Sequence, residues 1–283
     1  VSAVVPGAGR LVLVGTPIGN LDDLSPRAAA ALGAASVVAC EDTRRTGRLL
    51  AHLGVRAPEL VRMDEHTEHE TAPRLVERVR QGQLVAVASD AGLPGLSDPG
   101  ARLVALARDA GVAVEVVPGP FAAAVGLVGS GLLDPAGRFV FDGFLPRKGN
   151  ARAARLDELI GERRTVVLYE APHRLARTLS DLVDTLGGGR RVALCRELTK
   201  LHEETWTGTL EQAVERCEQV DPRGEYVVVV EGAPPPEQAD DDALRAALQA
   251  ALADGASRRD AAAAVAERYG VAPNRVKRLL TER

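Results

Sequence analysis

Twelve consecutive residues, Ser89-Asp-Ala-Gly-Leu-Pro-Gly-Leu-Ser-Asp-Pro-Gly100, have the composition of a ligand-binding loop rather than of a helix or strand. They follow the apolar run Leu84–Ala88 and precede a helical pattern at Ala101–Ala107. That position is the carboxyl end of a strand, where open α/β sheets bind their ligands. Loops of this length in compact domains mostly serve function. The segment offers backbone N–H groups and the Asp90 carboxylate with few bulky side chains in the way. A second turn, Val14-Gly-Thr-Pro-Ile-Gly-Asn20, stands where a dinucleotide-binding turn would lie. Pro17 removes an amide donor and the glycines are misplaced for G-x-G-x-x-G, and the chain has no G-K-[ST] phosphate loop. A nicotinamide enzyme is therefore disfavoured. Thr16, Pro17 and Ile18 come to lie beside the long loop if both preceding strands are central.

Three charged blocks each lie just past a predicted strand: Glu41, Asp42, Arg44 and Arg45; Tyr169, Glu170, His173 and Arg174; Arg196, Glu197 and Lys200. Facing one cleft, they could supply a general base or a cation to a reacting group; equally, such residues often only cap helices. Lys200 stands out because 32 of the 35 basic residues are arginine, the other lysines being Lys148 and Lys277. A partly buried lysine can lose its proton or stabilise a developing alkoxide, as arginine cannot. The alternative for Lys200 is a plain salt bridge with Glu197 or Glu203. His66 and His69, flanked by carboxylates, have the spacing of a metal half-site. Thr67 as a helix cap with Glu70 three residues on competes with that. The favoured reading is a loop at the cleft mouth that touches substrate, with no metal.

Short apolar runs must position these groups. Strands are expected at 11–14, 36–39, 84–87 and 112–117, alternating with helices near 25–32, 43–52, 71–80 and 99–110, which implies a mostly parallel sheet. Val117-Pro-Gly-Pro120 breaks the rhythm and marks a boundary. Strands then follow at 138–145, 165–169, 191–195, 204–210 and 226–230, with helices at 151–160 and 175–186; consecutive strands there imply a mixed sheet. Lone Trp206 belongs to core or dimer interface. Beyond the stiff Ala233-Pro-Pro-Pro236 linker, helices at 243–252, 259–269 and 274–280 make a helix-turn-helix pattern. The expected domains are 10–118, 119–233 and 237–283.

Composition excludes several classes. The net charge of −4 argues against a uniformly basic nucleic-acid binder. Basic residues nevertheless concentrate at 145–164, including Arg147 and Lys148, and after Gly255, including Arg275, Lys277, Arg278 and Arg283; both patches suit phosphate. Cys40, Cys195 and Cys217 are scattered and odd in number, which indicates neither disulfides nor a zinc knuckle. The longest apolar run, Phe121–Leu133, is too short and glycine-rich to span a membrane. The first ten residues carry only Arg10 and lack a signal-peptide layout, so a cytosolic protein is expected.

The blocks GTPIGNLDDLSPRA, ACEDTRRTGRLL, SDAGLPGLSDPG, VVPGPFAAAVGL, YEAPHRL, CRELTKLHEE and GEYVVVVEG occur in this order over Leu11–Gly232. In them the chain closely resembles the ribosomal RNA small subunit methyltransferase I family of the tetrapyrrole methylase superfamily. The resemblance implies two α/β lobes with S-adenosylmethionine bent in the cleft between them, a homodimer, and a C-terminal helical extension. It implies cofactor contacts from Pro17, Ile18, Asp90, Leu93, Phe121 and Ala122 of the first lobe and from Tyr169, Cys195 and Glu225 of the second. Related small-molecule methylases often carry Ser or Thr where Phe121 and Ala122 stand, which leaves backbone contacts there. The implied reaction is 2′-O-methylation of a cytidine in the decoding region of 16S rRNA within the small ribosomal subunit. The expected catalytic residues are Lys200, Glu197, Glu170 and Arg44, and Arg147, Lys148, Arg275, Lys277 and Arg278 are expected to meet RNA. Methylation of a tetrapyrrole or other small acceptor is the rival, and a ligand-sensing DNA-binding regulator the third reading.

Overall fold

Mostly apolar strands of four or five residues build the first sheet of the computed structural model, which describes residues 9–55, 59–234 and 240–281. Its strands are β1 (Arg10–Val14), β2 (Val37–Cys40), β3 (Glu59–Arg62), β4 (Leu84–Ala88) and β5 (Ala113–Val117), all parallel in the order β3-β2-β4-β1-β5. Helices α1 (Pro26–Ala34), α2 (Thr43–His52), α3 (Glu68–Arg80) and α4 (Ala101–Asp109) connect them. Local chemistry sets the starts: the Ser25 hydroxyl accepts the Ala28 N–H at 3.1 Å ahead of Pro26, and Asp42 accepts the Arg44 N–H at 2.8 Å. β1 and β4 pair with Val14 opposite Ala88, so the loops leaving them emerge side by side, as expected.

Two features of this first lobe depart from expectation. β3 is an edge strand that the sequence reading passes over. α3 starts at Glu68, earlier than expected, because Asp64 rather than Thr67 organises its entry: Asp64 Oδ1 accepts the His66 and Thr67 N–H groups at 3.1 and 2.9 Å and the Thr67 hydroxyl at 2.9 Å. Glu68 then reaches the far end of the long loop, where its Oε1 accepts the Gly100 N–H at 2.9 Å and the Leu103 N–H at 3.2 Å. The loop is thereby fastened, and the first turn of α4 gains the acceptor that it otherwise lacks.

The second lobe comprises α5 (Ala122–Ser130), β6 (Phe139–Phe144), α6 (Asn150–Ile160), β7 (Thr165–Glu170), α7 (Pro172–Leu186), β8 (Arg191–Arg196), β9 (Glu204–Thr209), α8 (Leu210–Gln219) and β10 (Tyr226–Val230). Strand order is β6-β7-β10-β8-β9; β6 and β7 are parallel and the other pairs antiparallel, so the sheet is mixed as expected. Leu168, Leu175, Leu179, Leu182 and Leu210 are fully buried in its core. Trp206 packs against that core with the Arg216 guanidinium 5.7 Å from its ring centroid.

The loops after β1 and β5 meet backbone to backbone. A Cβ on Gly15 would lie 2.6 Å from Gly119 Cα, and one on Gly119 would lie 2.7 Å from Gly15 Cα. The Gly15 N–H donates to Val117 O at 3.0 Å, so the strands cannot part to make room. Gly15→Ala is expected to cost about 3 kcal/mol and to lower Tm by roughly 6 °C or more. Thermal melting within about 2 °C of wild type would refute this contact.

The chain divides between Glu231 and Gly232 into two compact units. The second unit packs α9 (Asp241–Ala253), α10 (Arg258–Tyr269) and α11 (Pro273–Leu279) around Leu244, Leu248, Val265 and Val276, with Gly270 closing α10 in the left-handed conformation. Pro235, Pro236 and Arg283 lie outside the described residues. No helix among the described residues is long and apolar enough to cross a membrane.

Candidate active site

The loops leaving β1 and β4 are stitched together before any side chain is considered. The Thr16 N–H donates to Gly92 O at 2.9 Å, the Gly92 N–H returns to Thr16 O at 3.2 Å, and the buried Thr16 hydroxyl donates to Ser89 O at 3.2 Å. Opposite them is a tight turn after β8, in which Glu197 (φ 49°) and Thr199 (φ 65°) are left-handed. The Asn20 N–H donates to Thr199 Oγ1 at 3.1 Å. A Cβ on Gly19 would lie 2.5 Å from Lys200 Cγ, so only glycine lets the first loop seat against this turn.

Two cavities adjoin at the seam. The first, of about 310 Å³, is walled by Thr16, Pro17, Arg45, Arg48, Ser89 and Asp90 among others. The second, of about 320 Å³, is walled by Leu93, Asp98, Phe121, Ala122, Tyr169 and Cys195 among others. Ile18, Ala91, Lys200 and Glu225 face both. Phe121 and Tyr169 each meet Phe141 edge to face at 5.0 Å, and Phe144 meets Tyr169 at 5.6 Å. The Ala123 N–H donates to the Tyr169 hydroxyl at 3.2 Å. Burial pushes that hydroxyl up to about 12, so it stays protonated.

Seven of the nine expected cofactor residues wall the second cavity: Ile18, Leu93, Phe121, Ala122, Tyr169, Cys195 and Glu225. Pro17 and Asp90 wall only the first. Asp90 acts there as a strut, accepting the Asp42 N–H at 3.2 Å while Arg45 lies 3.5 Å from its other oxygen.

Lys200 Nζ is 3.0 Å from Glu197 Oε1 and 2.7 Å from Glu225 Oε2. Burial opposes its charge, but the two carboxylates outweigh burial and raise its pKa. The expectation that Lys200 can shed its proton is thus corrected: it is a held cation. The ion pair uses Glu197 and Glu225, whereas Glu203 accepts the Thr199 N–H at 2.7 Å. Glu197 is held below the usual carboxylate range despite burial, by the Glu225 N–H at 2.9 Å and by Lys200.

Two further expectations are corrected. Glu170, 1 % exposed, is saturated by the Thr178 hydroxyl at 2.6 Å, the Ala171 N–H at 2.9 Å and Arg174 Nε at 3.1 Å, which makes it an anchor for α7 rather than a free proton acceptor. Arg44 is exposed and walls neither cavity. Arg45 and Arg48, three residues apart on α2, share the cleft side, and Arg44 is rotated off it by the helical period. His66 and His69 are exposed and face neither cavity. Among the described residues no group of three or more His, Cys, Asp or Glu converges on a metal position.

Arg147 and Lys148 are exposed in the loop after β6, and Lys277 and Arg278 are exposed on α11. Arg275 of α11 also makes a contact within the helical unit. Its Nε and Nη2 lie 3.0 and 2.8 Å from Asp241 Oδ1, tying α11 to α9.

Asp98, like Arg48 of the first cavity, is a residue that sequence reasoning missed. It walls the second cavity, and burial, reinforced by the charges of Glu41 and Asp90, pushes its carboxyl up to about 7. Glu41 is also raised, by burial first. The signal for Asp98 is a carboxylate within a loop that already carries Asp90, but its acidic neighbour Glu41 comes from another strand end.

A model of the Tetrapyrrole (Corrin/Porphyrin) Methylases matches residues 10–214. The chain belongs to the tetrapyrrole methylases. A Synechocystis ribosomal RNA small subunit methyltransferase I is 42% identical over 261 residues, covering 92% of each chain. The Mycobacterium tuberculosis protein of the same name is 50% identical over 228 residues, 80% of this chain and 79% of the other. Among solved structures, a Thermus thermophilus uroporphyrin-III C-methyltransferase complexed with S-adenyl homocysteine superposes with a TM-score of 0.56 at 22% identity, covering 79% of this chain and 97% of that one.

Tetrapyrrole methylases are methyltransferases, and S-adenosylmethionine is the methyl donor. The second cavity fits that cofactor: an aromatic and aliphatic wall suits a purine, and Asp98 and Glu225 suit a sulfonium and an ammonium. A cationic ligand favours ionised Asp98. Affinity is therefore expected to rise as pH rises through about 7, and Asp98→Asn should bind more weakly and lose that pH dependence. Calorimetry between pH 6 and 8 (roughly one unit either side of this pKa) checks it; an unchanged pH profile in the variant would exclude Asp98 from the site. The sign for stability is opposite. The folded form holds this proton longer than the unfolded chain, so the ligand-free protein loses stability from this group as pH rises from about 4 to about 7.

Proposed function

We propose that this tetrapyrrole methylase moves the methyl group of S-adenosylmethionine to the ribose 2′-oxygen of a cytidine in the decoding region of 16S rRNA. The curated relatives named above support the small-subunit rRNA as substrate. The observation that carries the chemistry is the pair of adjoining cavities with Lys200 between them. The second holds the cofactor; the first, with Arg45 and Arg48 in its wall, takes the target nucleotide.

The cofactor supplies an electrophilic methyl on a sulfonium, and transfer is an in-line displacement in which positioning does most of the work. Ile18 and Ala91, shared by both cavities, set the separation of the reactants. A 2′-hydroxyl is a poor nucleophile at neutral pH. The Lys200 ammonium faces the oxygen as negative charge develops on it, and Glu197 and Glu225 hold the ammonium in place. Glu225, 77 % exposed, is the carboxylate beside Lys200 placed to take the released proton.

A homodimer in the cytoplasm completes the proposal. Val125 and Val128 of α5 are 38 and 73 % exposed and Leu201 is 93 % exposed, apolar surface that a second copy would cover. The test is transfer of labelled methyl to small ribosomal subunits that lack the modification. The expected product is a label in an alkali-resistant dinucleotide of 16S rRNA, because 2′-O-methylation blocks alkaline cleavage. Label released on a base, or found on a tetrapyrrole and not on RNA, would overturn the proposal.

A further inference from the structure

A third cavity, of about 310 Å³, lies outside the methyl-transfer cleft and is bounded by Arg147, Arg152, His173, Arg174, Arg177 and Thr178. Its inner wall is fixed. Arg152 bonds Pro146 O at 3.0 Å, Thr178 at 3.0 Å and Asp181 at 2.7 Å, and Arg174 bonds Leu145 O at 2.7 Å and Glu170 at 3.1 Å. Three of the four guanidiniums thus share two carboxylates, Glu170 with Arg174 and Asp181 with Arg152, the second lying 3.9 Å from Arg177 as well. The surplus positive charge sits at the rim, on exposed Arg147 and on Arg177, whose side chain is 64 % exposed. Guanidiniums locked by backbone carbonyls and facing a concave surface are suited to an anion with several acceptor oxygens.

The cavity's position identifies the anion. Ala171 and Pro172, at the start of α7, wall the cofactor cavity, and His173, Arg174 and Arg177 of the same helix wall the basic one. From Pro172 to Arg177 is ~7.5 Å along a helix axis, short enough for one polynucleotide chain to cross both. Resting on the rRNA reading above, we infer that this cavity binds a phosphodiester of the RNA strand flanking the reacting nucleotide. α7 then sets the direction in which the strand leaves the cleft, with Arg147 and Arg177 as its phosphate contacts. Glu170 is the strut common to both sites, since it anchors the helix turn between them.

The test compares wild type with an Arg147→Gln/Arg177→Gln double variant in binding to unmodified small subunits across a salt series. Both side chains are at the surface, so the fold is retained; cofactor affinity by calorimetry should match wild type. Subunit affinity should fall about tenfold near physiological salt, and the slope of log K against log salt should become shallower by about 0.7 for each phosphate that the variant no longer neutralises. Arg80→Gln, an exposed change on α3, should leave both unchanged. An unaltered slope in the double variant would overturn the phosphate site while leaving rRNA methylation standing. Absence of any wild-type transfer to small subunits would instead overturn the rRNA reading.

Discussion

Lys200→Met is expected to slow single-turnover methyl transfer at least roughly a hundredfold while leaving cofactor affinity within about threefold of wild type. Among the described residues the ammonium is the one cation that faces both the cavity assigned to the cofactor and that assigned to the nucleotide. Removing it strips the developing oxyanion of its counter-charge and leaves Glu197 and Glu225 facing the seam without their shared partner. Two freed carboxylates do not repel a cationic cofactor, so binding survives where turnover fails. Lys200→Arg is the sharper variant. A planar fork cannot place one point charge 2.7 and 3.0 Å from two carboxylates as the ammonium does, and at least roughly a tenfold loss of rate is expected. Single-turnover assays with saturating cofactor decide the matter. Near-wild-type rates in both variants would remove Lys200 from the chemistry and shift the role to Glu197 and Glu225.

Leu93→Arg is expected to weaken S-adenosylmethionine binding at least about a hundredfold. Leu93 follows Gly92, whose pairing with Thr16 fixes the backbone, so a longer side chain cannot be carried away by a shift of the loop. The introduced guanidinium would occupy a cavity of about 320 Å³ and set a positive charge against a positive ligand. Calorimetry against a circular-dichroism control separates lost binding from lost fold; tight binding by a folded variant would displace the cofactor from this cavity. Asp90→Ala should act more weakly on the cofactor, because Asp90 faces the adjoining cavity and serves the Asp42 and Arg45 contacts.

Period and punctuation expose most of the architecture, and the exceptions share a cause. The buried runs at β1, β2, β4 and β10 are legible because every residue or nearly every residue is apolar. β3 escapes because Glu59 and Arg62 are exposed and only Leu60 and Val61 turn partly inward, a pattern too short to show alternation. α8 is hidden behind a strand read through Leu210, although Thr209 and Gln212 form a reciprocal capping box that marks the change. At the site, the long loop and the Lys200 turn can be found by composition. The raised Asp98 cannot, because the burial that raises it, and the Glu41 and Asp90 charges that add to it, come together only when two different strand ends meet. Arg44 and Arg45 are indistinguishable as neighbours in a string; only the rotation of α2 separates them.

The contact between Gly15 and Gly119 has a genetic consequence. A side chain that clashes in a core can be relieved by a compensating reduction in its neighbour. Gly15 and Gly119 touch through backbone atoms, and each is already the smallest residue available. No second-site replacement can make room for a Cβ at either position. Suppressor selection starting from Gly15→Ala should therefore return true revertants, or changes that raise stability elsewhere in the molecule, and never a substitution at Gly119.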